Sequence, residues 1–345
     1  MRILNRLTAA RVLIKGFAGP VCDVAFAHSD SSLFAAIDES GSIYIYSISQ
    51  PDPASKNIET KLLLKIEKRN TIRNPSHRIV WSPHIHHTKD EKEELIVETN
   101  YLAATSGNDI EVLKLYQIIN DEITKLDKPV IKNDEDLLKG FPGYVQFEAH
   151  SNVITDVSIA PDGAVMCTSS DDGYVRFWNT AGLTEDKTEI PNTLHEWYPH
   201  DNAPVNCIKF LDNYQVSDPD IPYWRFLLTA AKQTQEIKIW CTVKWNCLQS
   251  LSFHMNPMSP LNNHSIPPQM KLAVDQTGNY IMITDINRRV LYCLECCSEF
   301  GESEQGPFSN GDCSIRSINV CLIDTPILSF HMSAVKGKYA LEESI

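Results

Sequence analysis

One stretch of the chain, from Glu148 to Thr180, constrains the fold more than any other. Apolar and polar side chains alternate through its first part, 153–159, which is the period-two pattern of a β-strand. Two turn clusters, Pro161-Asp162-Gly163 and Asp171-Asp172-Gly173, separate two further short apolar segments. Because short strands joined by tight turns pair with their neighbours, this stretch predicts an antiparallel sheet.

Four polar side chains of this stretch match the hydrogen-bonded tetrad of a WD40-type propeller blade. They are His150, Thr168, Asp172 and Trp178, with Ser170 as an alternative hydroxyl. In such a tetrad the Asp accepts hydrogen bonds from the His and from backbone amides, and the Trp indole N–H donates. This role is structural, so the His and the Asp are not predicted to be a catalytic pair.

The strand and turn pattern recurs along the chain. Five segments show it at roughly the 40–45-residue WD40 period, stretched by polar insertions. The segment after Thr180 carries a partial tetrad, His200, Thr229 and Trp240, with Gln233 or Gln235 in the region of the Asp. We therefore expect an all-β, WD40-type β-propeller.

Further predictions concern the edges of these segments. Residues 143–148 are expected to lead into the blade that carries the tetrad, and the segment starting at Leu194 is expected to open the blade after it. Residues 117–140 are polar and charged and are expected to form an insertion. Residues 298–312 are low in hydrophobic side chains and are expected to be mobile, before a strand at Ser317–Leu322.

Composition narrows the functional classes. With 31 basic and 44 acidic residues the formal net charge is −13, which disfavours direct, sequence-specific binding of nucleic acid. No apolar run reaches the roughly 20 residues of a membrane span, so no membrane association is expected. Ten scattered cysteines fit reduced thiols in an intracellular protein. The common nucleotide-binding and hydrolase motifs are missing, so we predict neither an enzyme nor a bound cofactor or metal.

Three sequence features suggest a metal site or a targeting signal, and each also has a simpler interpretation. Cys293-x-x-Cys296-Cys297 has the spacing of half a zinc site but lacks a second ligand pair. Three histidines of the loop 84–94 lie near acids, but such a run is more often solvated. The basic N-terminus is similar to a mitochondrial presequence, yet we predict strands at Met1–Leu4 and Arg11–Ile14.

Longer motifs are more specific than the blade pattern. They are Leu13-Ile-Lys-Gly-Phe17, Leu194-His-Glu-Trp-Tyr-Pro-His-Asp201, Asp218-Pro-Asp-Ile-Pro-Tyr-Trp-Arg-Phe-Leu227, Ile239-Trp-Cys-Thr-Val243 and Arg289-Val-Leu-Tyr292. On these motifs the chain resembles the WD40 domain of the enhancer-of-mRNA-decapping scaffold family, called Hedls in animals and Varicose in plants.

The resemblance implies a fold, a function and a location. The family's fold is a seven-bladed propeller followed by a linker, which places an N-terminally incomplete propeller at 1–333 and the start of the linker at 334–345. The implied function is a non-enzymatic scaffold that joins the decapping enzyme to its activator. The implied location is cytoplasmic, in processing bodies, whose other proteins are further partners. Because part of the first blades is expected to be missing, we also expect an incomplete ring with exposed sheet edges.

A second functional class is a WD40 substrate receptor of a cullin-type ubiquitin ligase. Such receptors often carry Trp-Asp-x-Arg at the end of a blade strand. The corresponding segments here, Trp178-Asn-Thr-Ala181 and Trp240-Cys-Thr-Val243, depart from that motif.

Aromatic and arginine side chains beside the insertions are the candidate partner-binding residues, because such side chains commonly anchor interfaces. They are Trp197, Tyr198, Tyr223, Trp224 and Arg225. The alternative is that they pack beneath their own loops, since tryptophan is usually well buried.

Overall fold

A computed structural model describes most of the chain. The described residues are 2–4, 11–27, 33–49, 58–68, 76–82, 101–114, 130–132, 144–180, 183, 190–212, 224–232, 234–253, 270–275, 277–285, 289–300 and 311–324. The predictions at 84–94, Tyr223 and 334–345 lie outside these ranges. No helix in the described part of the chain is long and apolar enough to cross a membrane.

The strands form successive antiparallel sheets in chain order. The N-terminal hairpin is β1 (Arg2–Leu4) and β2 (Arg11–Leu13). The first sheet contains β3 (Val21–Phe26), β4 (Leu33–Asp38), β5 (Ile43–Ile48) and β6 (Thr60–Glu67). The second contains β7 (Ile79–Trp81), β8 (Tyr101–Ser106), β9 (Asp109–Lys114) and β11 (Tyr144–Glu148).

Three further sheets follow the same order. The third contains β12 (Ile154–Ile159), β13 (Val165–Ser170), β14 (Val175–Asn179) and β15 (Thr193–Trp197). The fourth contains β16 (Val205–Phe210), β17 (Phe226–Ala231), β18 (Glu236–Cys241) and β19 (Asn246–Ser252). The fifth contains β20 (Met270–Val274), β21 (Tyr280–Asp285), β22 (Val290–Phe300) and β23 (Gly311–Leu322).

The first strand of each sheet lies at the centre of the molecule. These inner strands, β3, β7, β12, β16 and β20, contact one another in chain order. Side-chain hydrogen bonds join some of them: Asp23 Oδ2 accepts from the amide of Ile79 at 3.1 Å, and Asp156 Oδ2 accepts from that of Ile208 at 3.0 Å. Sheets that radiate from contacting inner strands form a β-propeller.

The hydrophobic core lies in layers between consecutive sheets. Trp81 of β7, for example, is fully buried among apolar residues of the first and second sheets, including Leu64 and Leu113. Its indole Nε1 donates to the carbonyl of Ala25 at 2.9 Å across the same boundary. Each sheet therefore depends on its neighbours for burial of its apolar faces.

Two edge predictions are wrong. β15 is the outer strand of the third sheet, not the opening of the fourth, and β11 likewise ends the second sheet before the chain enters the third. β22 and β23 continue to Phe300 and from Gly311, so these strands of 11 and 12 residues include parts of the segment that was expected to be mobile. The insertion 117–140 contributes β10 (Val130–Lys132), which pairs in parallel with the outer strand β6. The strands predicted in the basic N-terminus are present as β1 and β2.

Candidate partner-binding surface

The third sheet brings the four predicted tetrad residues into one hydrogen-bonded chain. His150 Nδ1 lies 3.1 Å from Asp172 Oδ2, and its Nε2 lies 2.8 Å from Thr168 Oγ1. The indole Nε1 of Trp178 donates to the same hydroxyl at 2.9 Å. The alternative hydroxyl, Ser170, instead accepts from the amide of Asp172 at 3.1 Å and so caps the turn. The tetrad links the loop before β12 to β13 and β14.

The electrostatics of this tetrad are those of a structural network. Burial lowers the pKa of His150 in spite of the neighbouring carboxylate, which favours a neutral imidazole. Burial opposes ionisation of Asp172, but the donors of His150, Tyr174 and Ser151 outweigh it and lower its pKa. All these donors are backbone or side-chain groups of the same sheet and its loops. The Asp172 carboxylate therefore stabilises the turn.

The fourth sheet contains a related network with a different acid. Trp240 Nε1 and His200 Nε2 each lie 2.8 Å from Thr229 Oγ1, as in the tetrad. Glu236 faces the other ring nitrogen, with its Oε1 3.6 Å from His200 Nδ1. Glu236 was missed by the sequence analysis, which looked to Gln233 or Gln235, because it occupies the first strand position after the turn.

The cysteine cluster of the fifth sheet pairs across a hairpin. Cys296 and Cys313 are buried, and their sulfur atoms lie 3.4 Å apart. Cys293 and Cys297 are half-buried on β22. Within the ranges that the structure describes, no group of three or more His, Cys, Asp or Glu side chains is placed to hold a metal ion.

The predicted residue Trp197 belongs to an aromatic cluster between the third and fourth sheets. Its ring centroid lies 5.2 Å from that of Trp245 and 5.8 Å from that of Trp240. The imidazole of His195, two residues earlier on β15, stacks on Trp245 at 3.5 Å and an interplanar angle of 25°. Phe177 packs edge-on against Trp245 from the buried side. Trp197 is thus half-buried and supports the surface from below.

The opposite face of β15 is exposed and carries the remaining aromatic candidate. Leu194 is 50% exposed and Tyr198, just beyond the strand, is 41% exposed. Glu196 lies between them and accepts from Arg176 of β14 at 2.7 Å. The ring of Tyr198 contacts that of Tyr174 at a centroid distance of 3.7 Å, with the two ring planes tilted by 36°. We call these five residues the β15 face.

Trp224 and Arg225 are anchored in the fold. Trp224 is half-buried and packs against the cluster that contains Trp197. The Nε of Arg225 donates to Asp212 Oδ1 at 3.0 Å, and the amide of Phe226 donates to Asp212 Oδ2 at 3.1 Å. Burial raises the pKa of Asp212 to about 6, although these donors act in the opposite direction. Trp224 and Arg225 therefore fit the interpretation that they pack within the fold better than the interpretation that they are exposed to bind a partner.

The sequence analysis missed one member of the β15 face, Tyr174, and one member of the aromatic cluster beneath it, Trp245. Tyr174 follows the Asp-Asp-Gly turn and looks like an ordinary strand residue, and only its ring contact with Tyr198 places it on the β15 face. Trp245 precedes β19 in a turn with φ of 52°, a conformation that non-glycine residues seldom adopt. That backbone directs its ring toward His195.

The fold and the networks together define a class: a WD40-type β-propeller, in which four-stranded sheets repeat around a centre and only short, protected edges remain. Residues 1–301 match a family model described as the WD40 region of Ge1, enhancer of mRNA-decapping protein. The chain therefore belongs to the enhancer of mRNA-decapping family, as its motifs indicated.

Individual relatives agree with this assignment. The chain is 34% identical over 338 residues to enhancer of mRNA-decapping protein 4 of Homo sapiens, and 32% identical over 336 residues to that of Danio rerio. Each alignment covers 97% of this chain but 22% of the relative, so the chain spans about a fifth of their length. The Drosophila melanogaster homolog is 25% identical over 372 residues, which is 99% of this chain and 25% of that protein.

Solved structures support the fold alone. The WD40 domain of Toxoplasma gondii coronin matches with a TM-score of 0.54 at 11% identity, over 93% of this chain and 63% of that one. This likeness, with the family match, confirms the predicted all-β WD40 propeller class. The ubiquitin-ligase alternative gains no support from these comparisons.

Proposed function

We propose that this chain is a non-enzymatic interaction module of the mRNA decapping machinery. In this role it helps to bring the decapping enzyme and its activator together and so promotes removal of the 5′ cap. The proposal draws on the family to which the chain belongs and on relatives named enhancers of mRNA decapping. Its location would be cytoplasmic, in processing bodies, where other resident proteins are further partners.

The observation that carries the proposal is the β15 face. It combines an exposed leucine, two tyrosines in contact and an arginine–glutamate pair along the outer strand β15 and its neighbour β14. Tyrosine and arginine are enriched where interfaces concentrate their binding energy. The tryptophan cluster beneath it holds the strand in place, so a partner would meet a preorganised surface.

The experiment compares partner retention by variants of the full-length protein. We expect the double substitution Leu194→Asp, Tyr198→Ala to lower co-purification of the decapping enzyme and its activator about tenfold, equivalent to about 1.4 kcal/mol. The matched control is Tyr280→Ala, because Tyr280 is 46% exposed but lies on the fifth sheet. Quantitative mass spectrometry of the purified complexes gives the readout, and equal retention by both variants would contradict this assignment of the surface.

A decapping assay tests separately the proposal that the chain has no enzymatic activity of its own. Purified protein incubated with cap-labelled RNA, without the decapping enzyme, should release no cap. Cap release that persists through successive purification steps would overturn this part of the proposal. A fluorescent fusion of the full-length protein, imaged with a processing-body marker, tests the location.

A further inference from the structure

The outer strands of three sheets carry a leucine at an equivalent register irregularity. In each sheet, two consecutive residues of the third strand pair with residues of the outer strand that enclose one extra residue. This extra residue is Leu63 on β6, Leu194 on β15 and Leu248 on β19. As in a β-bulge, it has no direct partner on the neighbouring strand. The three leucines therefore occupy the same place in their sheets and can be compared directly.

Two of these leucines are covered by the fold and the third is not. Leu63 packs against the core between the first and second sheets, and Leu248 packs against the core between the fourth and fifth sheets. Between the third and fourth sheets aromatic side chains fill the boundary instead, with Trp245 stacked on His195. Leu194 is 50% exposed. Within the described residues it thus lacks the cover that its two counterparts have.

Leu194 belongs to a row of exposed apolar side chains along the outer edge of the third sheet. Ile190, four residues before it, is 62% exposed, and Tyr198, four residues after it, is 41% exposed. β15 is the last strand of its sheet, and no strand in the described part of the chain pairs with its outer edge. The edge is short, but its unpaired N–H and C=O groups can accept one further strand.

The first sheet shows that an outer edge of this propeller accepts a further strand. β10 pairs in parallel with the outer strand β6, with Val130–Lys132 opposite Lys65–Glu67. β10 comes from the insertion between β9 and β11 of the second sheet, so it is added from outside the four strands of the first. A short segment from elsewhere is therefore enough to extend an outer strand of this fold.

The charge near the β15 face indicates which kind of segment fits it. Asp171 and Asp201 are both exposed, and both lie at the end of the face where the two tyrosines are in contact. The turn and the loop that carry them touch, because a Cβ on Gly173 would lie 2.9 Å from the carbonyl oxygen of Asn202. Glu196 adds a third acid, and the one arginine of the face is already bonded to it. The excess of negative charge favours a partner with basic side chains.

From the open edge, the uncovered leucine and the surrounding acids, we propose that β15 binds an extended segment rich in apolar and basic side chains. The segment pairs with the outer edge of β15 as a fifth strand. Its apolar side chains cover Leu194 and Tyr198, and its lysines or arginines lie near Asp171 and Asp201. In this mode main-chain hydrogen bonds supply affinity and side chains supply specificity. That the segment belongs to a decapping factor rests on the proposed function.

The test is fluorescence anisotropy of a labelled heptapeptide titrated with the full-length protein. The peptide has three valines, which favour a strand, between two pairs of lysines. One control peptide replaces the lysines by glutamates, and another carries methyl groups on the valine backbone nitrogens, which removes donors on both edges of the strand. We expect each control to bind at least tenfold more weakly. Equal binding of the methylated peptide would overturn the strand pairing, and equal binding of the glutamate peptide would overturn the charge preference.

Variants of the protein locate the site. Leu194→Asp should weaken binding of the lysine peptide about tenfold, although it adds negative charge, because it removes the apolar contact. The matched control is Val320→Asp, since Val320 is a 59% exposed apolar residue on the outer strand of the fifth sheet. Asp171→Asn with Asp201→Asn should weaken binding about threefold, whereas Asp312→Asn, at an exposed acid of the fifth sheet, should bind as the wild type does.

Hydrogen exchange of the wild type gives a second measurement that needs no variant. Amides of Thr193–Trp197 should gain protection when the lysine peptide is added. Unchanged exchange of these amides, or equal binding by Leu194→Asp and the wild type, would overturn the proposal.

The peptide experiment and the co-purification experiment can fail separately. Peptide binding at β15, with decapping factors retained equally by Leu194→Asp, Tyr198→Ala and the control, would keep this inference and contradict the proposed function of the surface. Loss of decapping factors from that variant, without peptide binding to the wild type, would keep the proposed function and overturn this inference.

Discussion

At the scale of the residue, the single carboxylate of Asp172 accepts hydrogen bonds from several donors. It accepts from the ring of His150 and from the amides of Ser151 and Tyr174. Asp172→Ala should lower the free energy of unfolding by about 1–3 kcal/mol, because these donors lose their acceptor in a partly buried site. Asp171→Ala, at the exposed position next to it, should change stability by less than about 0.5 kcal/mol. Urea denaturation measures both, and equal midpoints would count against the network.

His200 predicts a pH dependence. Burial lowers its pKa from near 6.5 to about 4, with Lys238 acting in the same direction and Glu236 against it. A group with a lowered pKa in the folded state binds fewer protons there than in the unfolded chain, so its contribution is complete above about pH 6.5 and declines as the pH falls toward 4. His200→Gln should therefore flatten the loss of stability between these values. Denaturation curves over this range provide the measurement, and parallel slopes in both proteins would contradict it.

At the scale of the element, the turn before β21 sets the contact between the fourth and fifth sheets. Gly278 has a φ of 73°, and a Cβ at this position would overlap the carbonyl oxygen of Leu211. Gly107 has a φ of 67°, but a Cβ there would meet nothing within 4 Å. Gly107 is therefore required only for its backbone conformation, whereas Gly278 is required for both its backbone conformation and the lack of a side chain.

The comparison of the two glycines separates backbone strain from steric overlap. Gly107→Ala should destabilise by about 1–2 kcal/mol, which is the cost of a left-handed conformation for alanine. Gly278→Ala should destabilise by clearly more, because the sheets must also move apart at Leu211. Thermal melts of the two variants measure the difference, and equal losses would show that the turn shifts freely.

These elements also show what a sequence can predict here. The inner three strands of the third sheet follow from alternation and turn chemistry, which are local, and the tetrad follows from their spacing. The pairing of β11 and β15 with the preceding sheet cannot be predicted in this way, because the hydrophobic pattern of an outer strand is the same whichever sheet it joins. β10 was missed since three residues are too few to show a period. The aromatic cluster beneath the β15 face depends on contacts between sheets, such as that of Trp245 with His195.

At the scale of the whole molecule, the propeller depends on how each inner strand is joined to the next. Asp23 and Asp156 occupy matching places, since each follows a register irregularity at the start of its strand and each accepts the amide of the following inner strand. The bond therefore recurs at two boundaries between sheets. Hydrophobic layers supply the bulk of the burial, and these directed bonds fix the register between sheets.

Removing one of these bonds should loosen one boundary and leave the other intact. Asp156→Ala deprives both the Ile208 amide and Lys209 of their acceptor. We expect the free energy of unfolding to fall by about 2–4 kcal/mol. This is less than the cost of breaking a fully buried ion pair, because the Lys209 side chain is 28% exposed. Asp156→Asn keeps an oxygen for the amide and should lose about half as much. Hydrogen exchange then locates the effect: the Ile208 amide should exchange faster in Asp156→Ala, whereas the Ile79 amide, held by Asp23, should keep its protection relative to global stability. Undiminished protection of Ile208 in Asp156→Ala would show that packing alone fixes the register between the third and fourth sheets.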